Sequence, residues 1–130
     1  MKFMCLVYFD EASFAGMSLA DMQKLTDATI EEDHELRRRG QLILAAPLQE
    51  PKTAVNIRVR KGRVRRTDGP FTEAKEWIGG FIVIEAKDME EAVGIAAAGE
   101  IAKIGRIEVR PIFEQTHSVT GAERPPALPV

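Results

Sequence analysis

A chain of 130 residues, 45% of them hydrophobic, can bury the core of one globular domain, and nothing in its composition calls for a second. The formal net charge of -2 argues against a dedicated nucleic-acid binder, although charge can still be concentrated locally. Cys5 is the one cysteine, which excludes an intrachain disulfide; its place in an apolar run predicts a buried thiol in a reducing compartment, with the cytoplasm as the expected location.

Residues 3–9 form a continuous apolar run of strand length, rich in aromatic and β-branched types, and predict a strand buried on both faces. The run is too short to cross a membrane, and Asp10-Glu11 follow where a cleaved leader would need small residues, so no membrane association is expected. After a loop, Ser18 is placed as an N-cap with Asp21 in the first turn. The helix it opens runs from about Leu19 to Arg39 and is stopped by Gly40. Leu19, Met22, Leu25, Thr29 and Leu36 fall on one face at helical spacing, and Arg37, Arg38 and Arg39 sit where the helix dipole favours cations.

Leu42 to Ala46 is a second strand stopped by Pro47. Ala54 to Val59 alternates apolar and polar residues, and a Lys61-Gly62 turn, with glycine second as type I′ allows, pairs it with Arg63 to Thr67 as a hairpin. Gly79-Gly80 then reads as the entry to an apolar strand, Phe81 to Ile84. Asp88 with Glu91 resembles a capping box opening a second helix that carries Met89, Ala92, Val93 and Ala96 on one side and ends near Gly99. An irregular turn over 101–104 leads to a last strand, Arg106 to Phe113, in which Pro111 fits only at a sheet edge. The order is βαββαβ with an inserted β-hairpin, an α+β ferredoxin-like sandwich over residues 1–113, followed by an extended or disordered tail, 114–130, with little to bury. Two helices cover only one face of such a sheet, so the apolar residues on the other face predict a homodimer.

The densest local signature is Thr67-Asp68-Gly69-Pro70-Phe71-Thr72-Glu73-Ala74-Lys75-Glu76. Asp68 can accept backbone N–H groups just downstream, Gly69 can take dihedrals other residues avoid, and Pro70 has a preset φ. Together they predict a rigid turn out of a strand, with Gly69 biased toward extended dihedrals before the proline and Thr72 to Glu76 forming a single helical turn. With Glu108-Val109-Arg110-Pro111 and Gly79-Gly80, the Asp68-Gly69-Pro70-Phe71 motif resembles the DGPF-domain group of the YCII-related proteins over roughly residues 1–113. That resemblance implies a dimeric α+β barrel of two ferredoxin-like subunits. Most such proteins are small bacterial proteins of unassigned activity, and some are encoded beside alternative sigma factors, which implies a regulatory connection.

Some YCII-like members are thought to use a His-Asp pair as acid and base, with the histidine in the first helix and the aspartate after the second. Here the histidine position falls at Thr29, and the stretch 94–104 offers no aspartate, so that dyad is not carried over. His34, five residues on, is rotated by about 140° and cannot substitute. His117 lies in the tail. Two isolated histidines and one cysteine without paired spacing predict no metal, and no glycine-rich phosphate loop or dinucleotide fingerprint points to a cofactor.

The site expectation centres on the turn: Asp68 as base or orienting group, with Gly69, Pro70, Phe71, Glu73, Lys75 and Arg110 contacting a small polar or anionic molecule, Lys75 and Arg110 as its anion contacts. For Asp68 to Pro70 the competing explanation is a hairpin corner; for Glu73, Lys75 and Glu76, a solvated turn whose mutual pairing is worth only ~0–1 kcal/mol; for Arg110, an edge-strand charge that blunts aggregation. A different class of function rests on Arg58, Arg60, Lys61, Arg63, Arg65 and Arg66, a basic hairpin without an acid or aromatic among them. The first explanation of such a run is a solubilising hairpin face; the second is a non-enzymatic interaction module engaging a protein partner, for which the resemblance supplies a sigma factor as the example.

Overall fold

In the computed structural model, which describes residues 1–70, 74–126 and 128, strand β1 (Lys2–Phe9) is followed by helix α1 (Leu19–Arg38), then strand β2 (Leu42–Pro47). The hairpin β3 (Val55–Arg60) and β4 (Arg63–Asp68) comes next. Strand β5 (Trp77–Glu85), helix α2 (Met89–Ala98), a 3₁₀ turn over Glu100–Lys103 and strand β6 (Arg106–Pro111) complete the fold. The main sheet is antiparallel in the order β2-β5-β1-β6, and β3-β4 forms a separate two-stranded sheet. Without the hairpin this is the ferredoxin-like βαββαβ order, with the two most apolar strands in the centre.

Register decides what faces the helices. Phe3, Cys5 and Val7 lie opposite Ile84, Ile82 and Gly80 on one side and Pro111, Val109 and Ile107 on the other. These side chains share the helix-covered face, where Phe3, Cys5, Ile84, Ala86 and Ala92 form the buried core against Ile82, Ile95, Ala96, Ile107 and Val109. Small residues on α2 let that helix approach closely. Met4, Leu6 and Tyr8 are only half-buried, because they alternate onto the face that no helix covers. The expectation of a strand buried on both faces therefore holds for one face of the single chain.

Helix α1 carries a full capping box: the Ser18 hydroxyl accepts from the Asp21 N–H at 3.1 Å, and the Asp21 carboxylate accepts from the Ser18 N–H at 3.2 Å. At α2 only half of the box forms. Asp88 accepts from the Glu91 N–H, but the Glu91 carboxylate turns to the Lys87 N–H and the Gln41 amide instead. Along the whole of α1 only Leu36 is buried, and Leu19, expected on the inner face, is 85% exposed in the first turn, beyond the reach of the sheet.

The third main strand is longer than its apolar core. It begins at Trp77 and runs through Gly79-Gly80, which are interior positions rather than a strand entry. A Cβ on Gly79 would collide with the Phe9 ring, and one on Gly80 would come within 3.0 Å of the Ala46 carbonyl oxygen. Gly105 closes the other side: its Cβ would lie 2.6 Å from the Tyr8 carbonyl oxygen and 3.0 Å from the Phe9 ring. Phe9 thus sits between two glycine gaps and packs against Phe14 in a tilted arrangement, ring centroids 4.7 Å apart and planes 58° to each other. Lys75 and Glu76 form a bend into β5, while Thr72 and Glu73 of the expected helical turn lie outside the described residues, and the last strand stops at Pro111 on the edge of the sheet.

Part of the tail is more ordered than its composition predicts. Thr116 bridges Glu123, the His117 N–H donates to the Ala122 carbonyl at 2.7 Å, and the His117 ring nitrogen Nδ1 accepts from the Val119 and Thr120 amides. Local hydrogen bonding supplies this order without a buried core.

The glycine contacts give a paired prediction for denaturant unfolding. Gly105→Ala should destabilise by about 1–3 kcal/mol, because the added methyl meets backbone that cannot move aside. Gly94→Ala, in α2 with no atom within 4 Å of the place its methyl would take, should stabilise by about 0.5–1 kcal/mol through helix propensity.

Candidate functional site

Leu36 is the one buried residue of α1, and a cavity of about 620 Å³ lies between the helix and the covered sheet face. Its floor is apolar: Cys5, Val7, Ile82, Ile84 and Ile107, with Phe9 and Phe14 at one side. The helix supplies Met22, Leu25, Thr26, Thr29, Glu32 and Asp33 at three- and four-residue spacing, with Glu35 beyond them, so two hydroxyls and three carboxyls interrupt an apolar wall. Arg39 also reaches the lining. The volume is in the range of small-molecule sites, and apolar walls with a few convergent polar groups are the usual make-up of one.

The polar groups differ in what already holds them. Thr29 Oγ1 donates to the Thr26 carbonyl at 2.8 Å, and Thr26 Oγ1 to the Met22 carbonyl at 3.0 Å, leaving both oxygens with acceptor capacity. Glu32 Oε1 accepts the Glu100 N–H at 3.1 Å, tying α1 to the start of the 3₁₀ turn; the bare Gly99 Cα lets the carboxylate approach. Burial pushes the Glu32 carboxyl above its ordinary value, with the Glu100 amide pulling the other way. Burial likewise raises Asp33, opposed by the neighbouring His34. Partial desolvation disfavours the ionised form of each. Burial also pushes the Cys5 thiol up to about 11, so the cavity floor carries an inert thiol rather than a nucleophile.

The residues of the turn-centred expectation lie away from this cavity. Asp68 ends β4, is largely exposed, and pairs with Arg66 at 3.1 Å. Gly69 takes φ +83°, glycine's freedom prevailing over the extended preference that Pro70 imposes; its N–H donates to the Ala54 carbonyl at 2.7 Å and its carbonyl accepts from the Asn56 amide at 2.8 Å. Asp68, Gly69 and Pro70 thus form the corner at the foot of the hairpin. Phe71 and Glu73 lie outside the described residues. Lys75 is exposed in the bend, and Arg110, opposite Met4 on the uncovered face, donates twice to one oxygen of Glu108. None of Asp68, Gly69, Pro70, Lys75 or Arg110 lines the cavity.

Next to Arg110 the uncovered face holds a second charged arrangement. Arg106 donates to both oxygens of Glu76, at 3.1 and 3.0 Å, and lies 4.2 Å over the Tyr8 ring. That bond holds the Glu76 carboxyl below its ordinary value and the Arg106 guanidinium above its own. Trp77 walls a smaller hollow of about 390 Å³ with Leu48, Pro51 and Ile78 at the hairpin's foot. Among the described residues, no group of three or more His, Cys, Asp or Glu side chains is placed to hold a metal ion, and no helix is long and apolar enough to cross a membrane.

Fold and cavity together define a small α+β protein of the ferredoxin-like kind with a pocket beneath its first helix. Residues 1–116 match the YCII-related domain, and the chain belongs to that family. It is 27% identical over 114 residues to an uncharacterized protein of Rhizobium meliloti (strain 1021), covering 86% of this chain and 92% of that protein. Among solved structures it shares its fold with 5-chloro-2-hydroxyhydroquinone dehydrochlorinase (TftG) from Burkholderia phenoliruptrix AC1100, determined in complex with 2,5-dihydroxybenzoquinone; identity is 14%, the TM-score 0.50, and coverage 88% of this chain and 96% of that one. Thr29, at the position where the resemblance places a histidine, lines the cavity, whereas His34 is exposed and does not. A signal for the pocket is present in the sequence: Asp33 stands four residues after Thr29 and three before Leu36, a carboxylate inside an apolar stripe.

Two outcomes follow from the shifted groups. A carboxyl that holds its proton more tightly in the folded than in the unfolded chain adds stability in full below its unfolded pKa, and loses it as pH rises through the folded one. Asp33→Asn should therefore raise stability at pH 7 relative to the wild type, with the gap closing toward about pH 3, as read by urea melts across pH. Cys5 should react with a maleimide at pH 7 far more slowly than in the urea-unfolded chain, followed by mass spectrometry; equal rates would contradict the burial described.

Proposed function

We propose that the cavity under α1 binds a small, predominantly apolar, ring-sized molecule bearing hydroxyl groups, with Asp33 as the proton acceptor facing it. The observation that carries this reading is the pairing of an apolar floor with a carboxyl whose affinity for protons is raised by burial. Thr29 and Thr26 would accept further hydrogen bonds, and Glu32 would act through position, because its oxygen already fixes α1 to the Glu100 amide. A hydroxylated ring also matches the kind of molecule with which the structural neighbour TftG was solved. In this reading the ligand is less polar than the turn-centred expectation has it, and the Asp68 turn serves as the corner that launches the hairpin.

A second copy of the chain completes the proposal. Met4, Leu6, Tyr8, Leu44, Phe81 and Val83 alternate onto the uncovered sheet face, and several hundred Å² of such surface at about 25 cal/mol per Å² would cost several kcal/mol in water. Stacking two such faces gives the dimeric α+β barrel and leaves the cavity, on the opposite side of the sheet, accessible.

Calorimetry with 2,5-dihydroxybenzoquinone and simple catechols tests the pocket. Binding should be lost in Asp33→Asn at unchanged fold, and weakened at least about tenfold by Thr29→Val, since a hydrogen bond to a charged or buried partner is worth about 1.5 kcal/mol or more. Normal binding by Asp33→Asn would remove its role. Light scattering at micromolar concentration should give a dimer, and Leu44→Glu a monomer; a monomeric wild type would refute the second copy.

A further inference from the structure

The β3-β4 hairpin is a separate two-stranded sheet whose two faces carry opposite chemistry. Arg58 lies opposite Arg65 and Arg60 opposite Arg63, so one face is a ladder of four arginines, extended by Asn56 and Thr67 toward the body. Val59 lies opposite Val64 and Ile57 opposite Arg66 on the other, where Val55, Ile57, Val59 and Val64 are all exposed, Ile57 at 65% and Val64 at 69%. Like charges set directly across a ladder oppose folding, and an isolated two-stranded hairpin is marginal in water. The chain nonetheless concentrates six basic residues against one acid in positions 55–68, leaving the rest of its 18 basic and 20 acidic residues with an acidic balance.

The edge is as specific as the faces. Lys61 and Gly62 take φ +51° and +73°, a two-residue type I′ turn that closes on the pair Arg60–Arg63, and the Gly69 N–H donates to Ala54 in the same alternation. Asn56–Thr67, Arg58–Arg65 and Arg60–Arg63 are therefore the hydrogen-bonded pairs, and the backbone N–H and C=O groups of Val55, Ile57 and Val59 turn outward along β3, where the Val59 carbonyl accepts from the exposed Arg60 guanidinium at 2.9 Å, a bond an added strand would replace. No described strand pairs with that edge. A strand laid along it would place alternate side chains beside the arginines and the others beside the valines and isoleucine, at the two-residue period of about 6.8 Å.

We infer that the outer edge of β3 takes up an extended protein segment in which acidic and apolar residues alternate, by strand addition. Charge complementarity selects the acidic positions, the exposed Val55, Ile57 and Val59 select the apolar ones, and the outward backbone groups fix the register. Nucleic acid would satisfy the arginine face but leave the apolar face in water, and no aromatic side chain in the hairpin offers stacking. A second hairpin added in register would set arginine against arginine, which argues against self-pairing.

The test is fluorescence anisotropy with a labelled seven-residue peptide alternating valine and glutamate, titrated with the full chain. Binding should weaken by about tenfold or more between about 0.05 and about 0.5 M salt, and similarly in an Arg60→Gln, Arg65→Gln variant whose melting temperature matches the wild type. It should vanish when the same peptide is N-methylated at alternate residues, which removes the pairing donors and keeps every charge. Equal binding of the N-methylated peptide, or of one with its glutamates in a block, would reduce the hairpin to charge attraction and overturn strand addition. Tighter binding of a labelled single-stranded or duplex DNA would overturn the choice of partner. No binding of any peptide at millimolar protein, or loss of the dimer in an Ile57→Thr, Val64→Thr variant, would assign the face to no partner or to a second copy and overturn the proposal.

Discussion

The ring of Phe9 lies in a slot made by the absence of two side chains, Gly79 on β5 and Gly105 before β6, and much of the architecture above the sheet depends on that contact. At the end of the central strand the ring needs space on both sides, and only glycine leaves enough. With the ring seated, Phe14 packs against it at a tilt and fixes the middle of the loop leading to α1. The helix then comes down on the sheet at its other end, through Leu36 and the Glu32–Glu100 bond. A helix held at two separated places spans what lies between them, and the cavity is that span.

The element order is legible in the sequence because each principal element carries its own periodicity. The β1 run, the α1 stripe with its Ser18 cap and the Lys61-Gly62 turn are local, and local chemistry needs no knowledge of the rest of the chain. Gly79-Gly80 reads as a strand entry because glycine's usual meaning in a strand is interruption, whereas here it is the close approach of Phe9 and the Ala46 backbone, residues far away in sequence. The sequence draws attention away from the cavity for a related reason. Asp68-Gly69-Pro70 is the densest local motif, so it attracts a functional reading, yet its density is what a hairpin corner demands. Asp33 attracts none, because a single acid on a helix is ordinary until the cavity in front of it is seen.

Charge is distributed in keeping with this division. The carboxyls of Glu32 and Asp33 face partly desolvated space under α1, while the basic residues of positions 58–66 are gathered on a hairpin that joins the main sheet through no ladder. The Arg106–Glu76 and Arg110–Glu108 pairs occupy the β6 side of the uncovered face, where ionic contacts are screened and contribute little to stability. Their value lies in geometry: Arg106 is held over Tyr8, a polar margin beside an apolar surface.

The buried cluster of Phe3, Cys5, Ile84, Ala86 and Ala92 joins two central strands to α2 and includes nothing from α1. Met22, Leu25, Thr26, Thr29 and Asp33, which make the helical wall of the cavity, sit outside it. The helical wall can therefore change with little effect on that cluster, whose Cys5 and Ile84 form part of the opposite, sheet side of the cavity. Such a division permits evolutionary drift: one scaffold can exchange hydroxyl for imidazole, or carboxylate for amide, along a single helix and acquire a new chemical appetite without first having to be rebuilt.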